Sequence, residues 1–88
     1  MRILVTGICG FVGSSIAFAL RELGDDFTVF GIDNLVRRGS ERNRTSLLDQ
    51  GIQVYHGDIR LSSDIALLPR ADWVIDAAAN PSVLAGIR

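Results

Sequence analysis

Apolar residues follow two rhythms along this chain. Short runs rich in β-branched and aromatic residues alternate with stretches in which apolar residues recur at helical spacing. The pattern predicts strands over Arg2–Thr6, Phe27–Asp33, Ile52–His56 and Trp73–Ala77, and helices over Phe11–Leu23, Ser40–Asp49 and Ser62–Leu68. In the first helix Ile16, Ala19, Leu20 and Leu23 share a face, opposite Arg21 and Glu22. In the second, Ser40 is read as the cap, with Leu47 and Leu48 turned inward. Gly24, Gly51 and Pro69 supply the stops. Strands that alternate with helices require right-handed crossovers, so the expected fold is α/β, a doubly wound parallel sheet of four strands in the order 3-2-1-4.

Composition narrows the class. The chain has 88 residues, enough for one domain at most, and 48% of them are apolar, far above the level of a disordered segment. Nine basic and ten acidic residues are spread evenly for a net charge of −1, which leaves no patch to recruit nucleic acid or a membrane surface. All the basic residues are Arg, and Lys is absent. A single cysteine, Cys9, forms no internal disulfide and has no second Cys near it for a metal site, which fits a reducing, cytoplasmic setting. The N-terminus leads straight into the first strand without a signal-like leader, and the glycines and serines of residues 3–20 read as strand plus helix rather than a membrane span.

The candidate chemistry lies at the first strand-to-helix junction. Gly7, Gly10 and Gly13 stand three apart there. In order, they suit a sharp bend, an approach of a pyrophosphate to bare backbone, and close packing of helix on strand, with the helix N-terminus facing the phosphates. Taken alone, the triplet also fits an ordinary strand-to-helix turn. Twenty residues beyond Gly13, Asp33 closes the second strand, where a carboxylate accepts hydrogen bonds from adenosine ribose hydroxyls and repels a 2′-phosphate. That position favours NAD over NADP, although Arg37 and Arg38 nearby could pair with a phosphate and Asp33 also suits an Asx turn.

Thr6-Gly7-x-x-Gly10-Phe11-x-Gly13, Asp33-Asn34-Leu35, Gly57-Asp58-Ile59-Arg60 and the Ala-rich end of the fourth strand resemble the extended short-chain dehydrogenase/reductase family, in its NAD-dependent epimerase/dehydratase branch. The likeness covers essentially the whole chain. Within the branch, residues 33–40, 56–60 and 78–83 are most similar to the CDP-sugar 2-epimerases. The resemblance implies the N-terminal part of a Rossmann-type domain that binds NAD and, in a full-length enzyme, acts on a nucleotide sugar. It further implies that Phe11 and Val12 offer N–H groups to the pyrophosphate, and that Asn34 and Ser40 support the adenosine half. Asp58 would accept from the adenine amino group, Ile59 would pack on the ring, and Ala77, Ala78 and Ala79 would line the nicotinamide side.

The family's catalytic Tyr-x-x-x-Lys pair has no counterpart here, since the one tyrosine, Tyr55, is followed four positions later by Ile59. The 88 residues alone are therefore expected to be inactive, with the catalytic segment and substrate domain expected either beyond Arg88 or not to exist in this polypeptide. A non-catalytic dinucleotide-binding or interaction module, and a dehydratase or reductase of the same branch, are the competing expectations. Asp76 departs from the His common in relatives and is expected to need a partner. Cys9 and His56 lack the neighbours of a nucleophile or metal ligand, and Trp73 reads as core or sheet-edge covering. Four strands would leave an apolar edge exposed, so self-association is expected.

Overall fold

In the computed structural model, which describes residues 1–24, 26–36, 38–58 and 61–77, strands and helices alternate as the pattern predicts. They are β1 (Arg2–Thr6), α1 (Phe11–Glu22), β2 (Thr28–Asp33), α2 (Ser40–Asp49), β3 (Gln53–His56), α3 (Ser62–Ala66) and β4 (Trp73–Asp76). All pairings are parallel, in the order β3-β2-β1-β4.

The two inner strands are buried on both faces, which is why they read as nearly continuous apolar runs. Ile3 and Val5 of β1 and Val29 of β2 pack with Ala17 of α1 and Leu47 of α2 on the first face. Leu4, Phe30 and Ile32 form the core of the second, where Tyr55 meets Phe30 edge-on at 6.2 Å between ring centroids and Leu68 and Ala71 close over the top. β4 is the thinly covered edge. By register Trp73 lies beside Ile3 and Val74 beside Leu4, so the two open on opposite faces, 62% and 59% exposed. Trp73 is thus edge covering and not core.

Three details differ from the pattern-based expectation. α1 buries Gly13, Ser14 and Ala17, leaving Ile16 and Leu20 half-buried and Ala19 and Leu23 exposed. The helix lies so close to β1 at its first turn that only small residues fit beneath it, and the larger ones flank the contact. In α2 Leu47 is fully buried while Leu48 is 40% exposed, because one stripe of this polar helix meets the sheet. Ser40 is the first residue inside α2; the cap is Gly39, with φ of 90°, and it makes no side-chain cap bond.

Candidate functional site

Parallel register brings the carboxyl ends of all four strands to one rim. Thr6 pairs with Ile32 on one side and Asp76 on the other, and Asp33 pairs with His56. Gly7, Asn34, Gly57 and Ala77 therefore follow at the same level. β1 is where the sheet reverses: the chain runs outward to β2 and β3, then returns to the far side as β4. A crevice beyond the strand ends at such a reversal is where open α/β sheets take ligands.

The turn from Gly7 to Gly13 is fixed by its own backbone. Gly7 adopts φ of 64°, a left-handed conformation that a side chain would strain. Its N–H donates to Ile32 O at 2.9 Å, and Gly10 N–H donates back to Gly7 O at 3.0 Å. Gly13 touches the same peptide. A Cβ there would overlap Gly7 O and come within 2.9 Å of Ile8 Cα, so helix and strand could not approach this closely.

The helix begins with Gly10 as an extended cap that makes no side-chain bond, and Ser14 N–H is the first to find a carbonyl, Gly10 O at 2.9 Å. Among the described residues no acceptor stands against the N–H groups of Phe11, Val12 and Gly13. Three adjacent free donors at the positive end of a 12-residue helix make a surface with the chemistry to receive an anion. The side chains of Phe11 and Val12, 84% and 56% exposed, leave it open.

Asp33 faces this turn. One carboxylate oxygen accepts Cys9 N–H at 2.9 Å and the other accepts Leu35 N–H at 2.8 Å. The second bond is the Asx turn, so that reading and a carboxylate aimed at the glycine bend are both realised by one side chain. An ionised carboxylate has about four acceptor positions, and two remain after these bonds. Asn34 is exposed beside it, its side-chain oxygen accepting Val36 N–H at 3.2 Å. Leu35, at φ 60°, carries the chain through this bend.

The other expected site residues are spread along the rim. Ser40 is 2% exposed at the first turn of α2. Asp58 is half-buried after β3, its N–H donating to the Asp64 carboxylate at 2.9 Å. Ala77 extends the β1–β4 ladder, its N–H donating to Thr6 O at 3.1 Å. Ile59, Ala78 and Ala79 lie outside the described residues.

Asp76 is exposed rather than buried and accepts the Thr6 hydroxyl at 2.6 Å across the strand pair. Its expected need for a partner is met there. Cys9 is buried, and that burial foremost, with the Asp33 charge next, pushes its thiol from 9.0 up to about 11. It is an inert small residue of the turn. Among the described residues no cluster of His, Cys, Asp and Glu could hold a metal ion, and no helix is long and apolar enough to cross a membrane.

Two residues that shape the site escaped the sequence reading. Gly31 leaves room inside β2 for fully buried Ile8; a Cβ at Gly31 would overlap that side chain. Asn43 of α2 donates from Nδ2 to Cys9 O at 2.7 Å. Both carried a signal, since a lone glycine inside a strand marks close approach and an asparagine inside a helix is a poor helix former.

A parallel sheet ordered 3-2-1-4 with a side-chain-free bend at its first crossover defines the Rossmann-type α/β class. The NAD dependent epimerase/dehydratase family matches residues 3–88, and the chain belongs to that family. It is 46% identical over 70 residues to CDP-paratose 2-epimerase from Salmonella typhi, covering 77% of this chain and 20% of that protein. It is 38% identical over 79 residues to UDP-glucuronate 4-epimerase 2 from Arabidopsis thaliana, covering 85% and 17%. Among solved structures, a UDP-glucuronic acid 4-epimerase mutant from Bacillus cereus, in complex with a fluorinated UDP-glucuronic acid and NAD, superposes with a TM-score of 0.79 at 34% identity, covering 94% of this chain and 28% of that one. The dTDP-glucose 4,6-dehydratase of Bacillus anthracis in complex with NAD gives 0.76 at 25% identity, covering 91% and 27%. The chain thus spans about a fifth of the length of the curated relatives it matches.

Proposed function

We propose that this chain is the cofactor-binding portion of an NAD-dependent nucleotide-sugar epimerase or dehydratase, with a CDP-sugar 2-epimerase as the particular activity. The observation that carries the cofactor reading is the convergence on one bend of three free N–H groups, from Phe11 to Gly13, and a carboxylate with acceptor capacity left, Asp33. The diphosphate lies against Gly7, Gly10 and the N–H groups of Phe11, Val12 and Gly13. The ribose hydroxyls donate to Asp33, with Asn34 and Ser40 framing the adenosine half. Asp58 and Ile59 take the adenine ring, and Ala77, Ala78 and Ala79 line the nicotinamide side. NADP is disfavoured because its 2′-phosphate would sit against the Asp33 charge.

When bound, the cofactor supplies the hydride acceptor and donor for oxidising a sugar carbon and reducing it again. The chain's own part is placement, and with no Lys anywhere in its 88 residues it does not turn over substrate by itself. The preference for CDP-sugar 2-epimerisation rests on the 46% identity to the Salmonella typhi protein. A dehydratase outcome is supported instead by likeness to the Bacillus anthracis enzyme. Exposed Trp73 and Val74 on β4 support self-association of the chain, and a monodisperse monomer in sedimentation would refute it.

Calorimetric titration with NAD, NADP and ADP-ribose tests the cofactor reading. NAD and ADP-ribose should bind at least about tenfold tighter than NADP, and Asp33→Asn should narrow that ratio, since it removes the charge that repels the phosphate. Equal affinities, unaltered by the substitution, would remove Asp33 from this role.

A further inference from the structure

We propose that Asn43 is a positioning residue for the diphosphate-binding turn, holding the Cys9 carbonyl so that the donors of Phe11, Val12 and Gly13 stay free for a ligand. The inference rests on the dinucleotide reading of the turn. Cys9 is gripped at both ends by side chains from other elements: its N–H donates to Asp33 at 2.9 Å, and its C=O accepts from Asn43 Nδ2 at 2.7 Å. Only a donor can meet a carbonyl oxygen, so the orientation of the Asn43 amide follows from its partner. The remaining backbone bonds of the turn are local or reach back to β2: Gly7 and Ile8 N–H to Ile32 O, Gly10 N–H to Gly7 O, Ser14 N–H to Gly10 O. Among the described residues the Asn43 bond is therefore the hydrogen bond that ties this turn to α2, beside the apolar packing of Ile8 and Cys9 in one cluster with Leu47.

The tethered peptide joins Cys9 to a glycine, the residue whose backbone turns most freely. Released from Asn43, the peptide retains its Gly10 N–H bond to Gly7 O as a hinge, about which its oxygen could turn toward the three free N–H groups and compete with an incoming phosphate. Held by α2, it does not. An asparagine inside a helix is a poorer helix former than Leu or Ala. Half-buried Asn43 offsets that with a bond to residue 9, far away in sequence.

The test uses the full chain with Asn43→Ala, and Asn43→His as the conservative variant whose ring Nδ1–H can reach the same oxygen. Binding of NAD, ADP-ribose, ADP and adenosine is measured alongside amide hydrogen exchange. Asn43→Ala should weaken the three diphosphates by on the order of tenfold and adenosine by less than about twofold, with Asn43→His recovering most of the loss. Exchange should rise at residues 9–13 while β1 and β2 stay protected. A merely structural role would weaken all four ligands alike and raise exchange across the sheet, and that result overturns the proposal. Should the unsubstituted chain bind no diphosphate at all, the dinucleotide reading falls first. Exchange then decides Asn43 separately: turn amides unmoved by Asn43→Ala refute the tether. If Asn43→Ala does not fold, Asn43→Leu, which keeps the side-chain volume and lacks the donor, takes its place in the same ligand series: a folded variant with unchanged diphosphate affinity refutes the tether.

Discussion

Gly13→Ala is the sharpest perturbation of the turn. The added Cβ would overlap Gly7 O and lie 2.9 Å from both Gly7 C and Ile8 Cα, all backbone atoms that no rotamer change can move aside. Overpacking costs about 1–3 kcal/mol where side chains can yield, so this site belongs at or above the upper end. Alanine's helical advantage of about 1 kcal/mol over glycine offsets part of it. The net loss is about 2 kcal/mol or more, a large share of the few kcal/mol expected of so short a domain. With a urea dependence of roughly 1 kcal/mol per molar, the unfolding midpoint followed by circular dichroism should fall by about 2 M. Gly10→Ala is the internal control. Its Cβ would meet only Gly7 O, at 3.3 Å, so it should cost about 1 kcal/mol, chiefly as a weaker helix cap.

Binding supplies a second readout of the same clash. Relief requires α1 or Gly7 to move, which displaces the Phe11 and Val12 N–H groups from their present convergence. NAD affinity should therefore fall even under conditions where the variant is fully folded. A Gly13→Ala protein with the midpoint and NAD affinity of the unsubstituted chain would refute both the packing and the geometry assigned to the turn.

Gly31→Ala should destabilise through overlap with Cβ, Cγ2 and Cδ1 of Ile8, and Ile8→Gly in the same chain, which removes all of these atoms, should recover part of the loss, a coupling of about 0.5–3 kcal/mol in a double-mutant cycle; strict additivity would show the two residues do not meet. The raised Cys9 thiol sets a pH dependence. The unfolded chain loses this proton near pH 9 and the folded chain near 11, so the stabilisation is complete below pH 9 and disappears as pH rises to 11, by on the order of 2–3 kcal/mol. Urea midpoints should show that decline in the unsubstituted chain and a flatter profile in Cys9→Ala; parallel profiles would contradict it. Thr6→Val removes the hydroxyl bonded to Asp76 at 2.6 Å, and because Asp76 is exposed the loss should stay within about 1 kcal/mol; a larger one would mean that the pair carries more of the β1–β4 contact than its setting allows.

Strand order and element sequence were legible because they depend on patterns that survive any detail of packing. Four β-branched runs separated by helix-length stretches admit few topologies, and right-handed crossovers select one. The glycine bend was legible for a similar reason, since its geometry excludes side chains. What the pattern missed depends on distances between elements. Hydrophobic spacing assigned Ala19 and Leu23 to the inner face of α1, but the closeness of Gly13 to β1 turns Ser14 and Ala17 inward instead. Gly31 and Asn43 matter through single contacts, with Ile8 and with Cys9 O. Neither partner lies at a spacing that a one-dimensional pattern records. Asp76 read as an orphan because its Thr6 partner is 70 residues away and becomes adjacent only when β4 crosses to the far side of β1.

The turn divides its donors into two groups, and that division explains why Asp33 is hard to probe by deletion. Gly7, Cys9 and Gly10 have their N–H groups committed to the chain itself, whereas Phe11, Val12 and Gly13 keep theirs unused. Asp33 belongs to both sides, because it holds Cys9 and Leu35 in place and retains acceptor capacity for a ligand. Asp33→Ala would therefore strip two charge-assisted bonds from the resting chain, each worth about 1.5–3 kcal/mol, before any ribose is considered. Lost affinity in that variant says little about contact with the sugar. The ratio of NAD to NADP affinity in Asp33→Asn is more informative, because the collapse of a turn shared by both ligands cancels and the charge at the 2′ position does not. A surface already held in its binding shape before the ligand arrives also loses little entropy on association. On the proposed dinucleotide reading, much of the work of binding would then be done when β1, α1 and β2 pack together, and the same few residues would govern both stability and affinity.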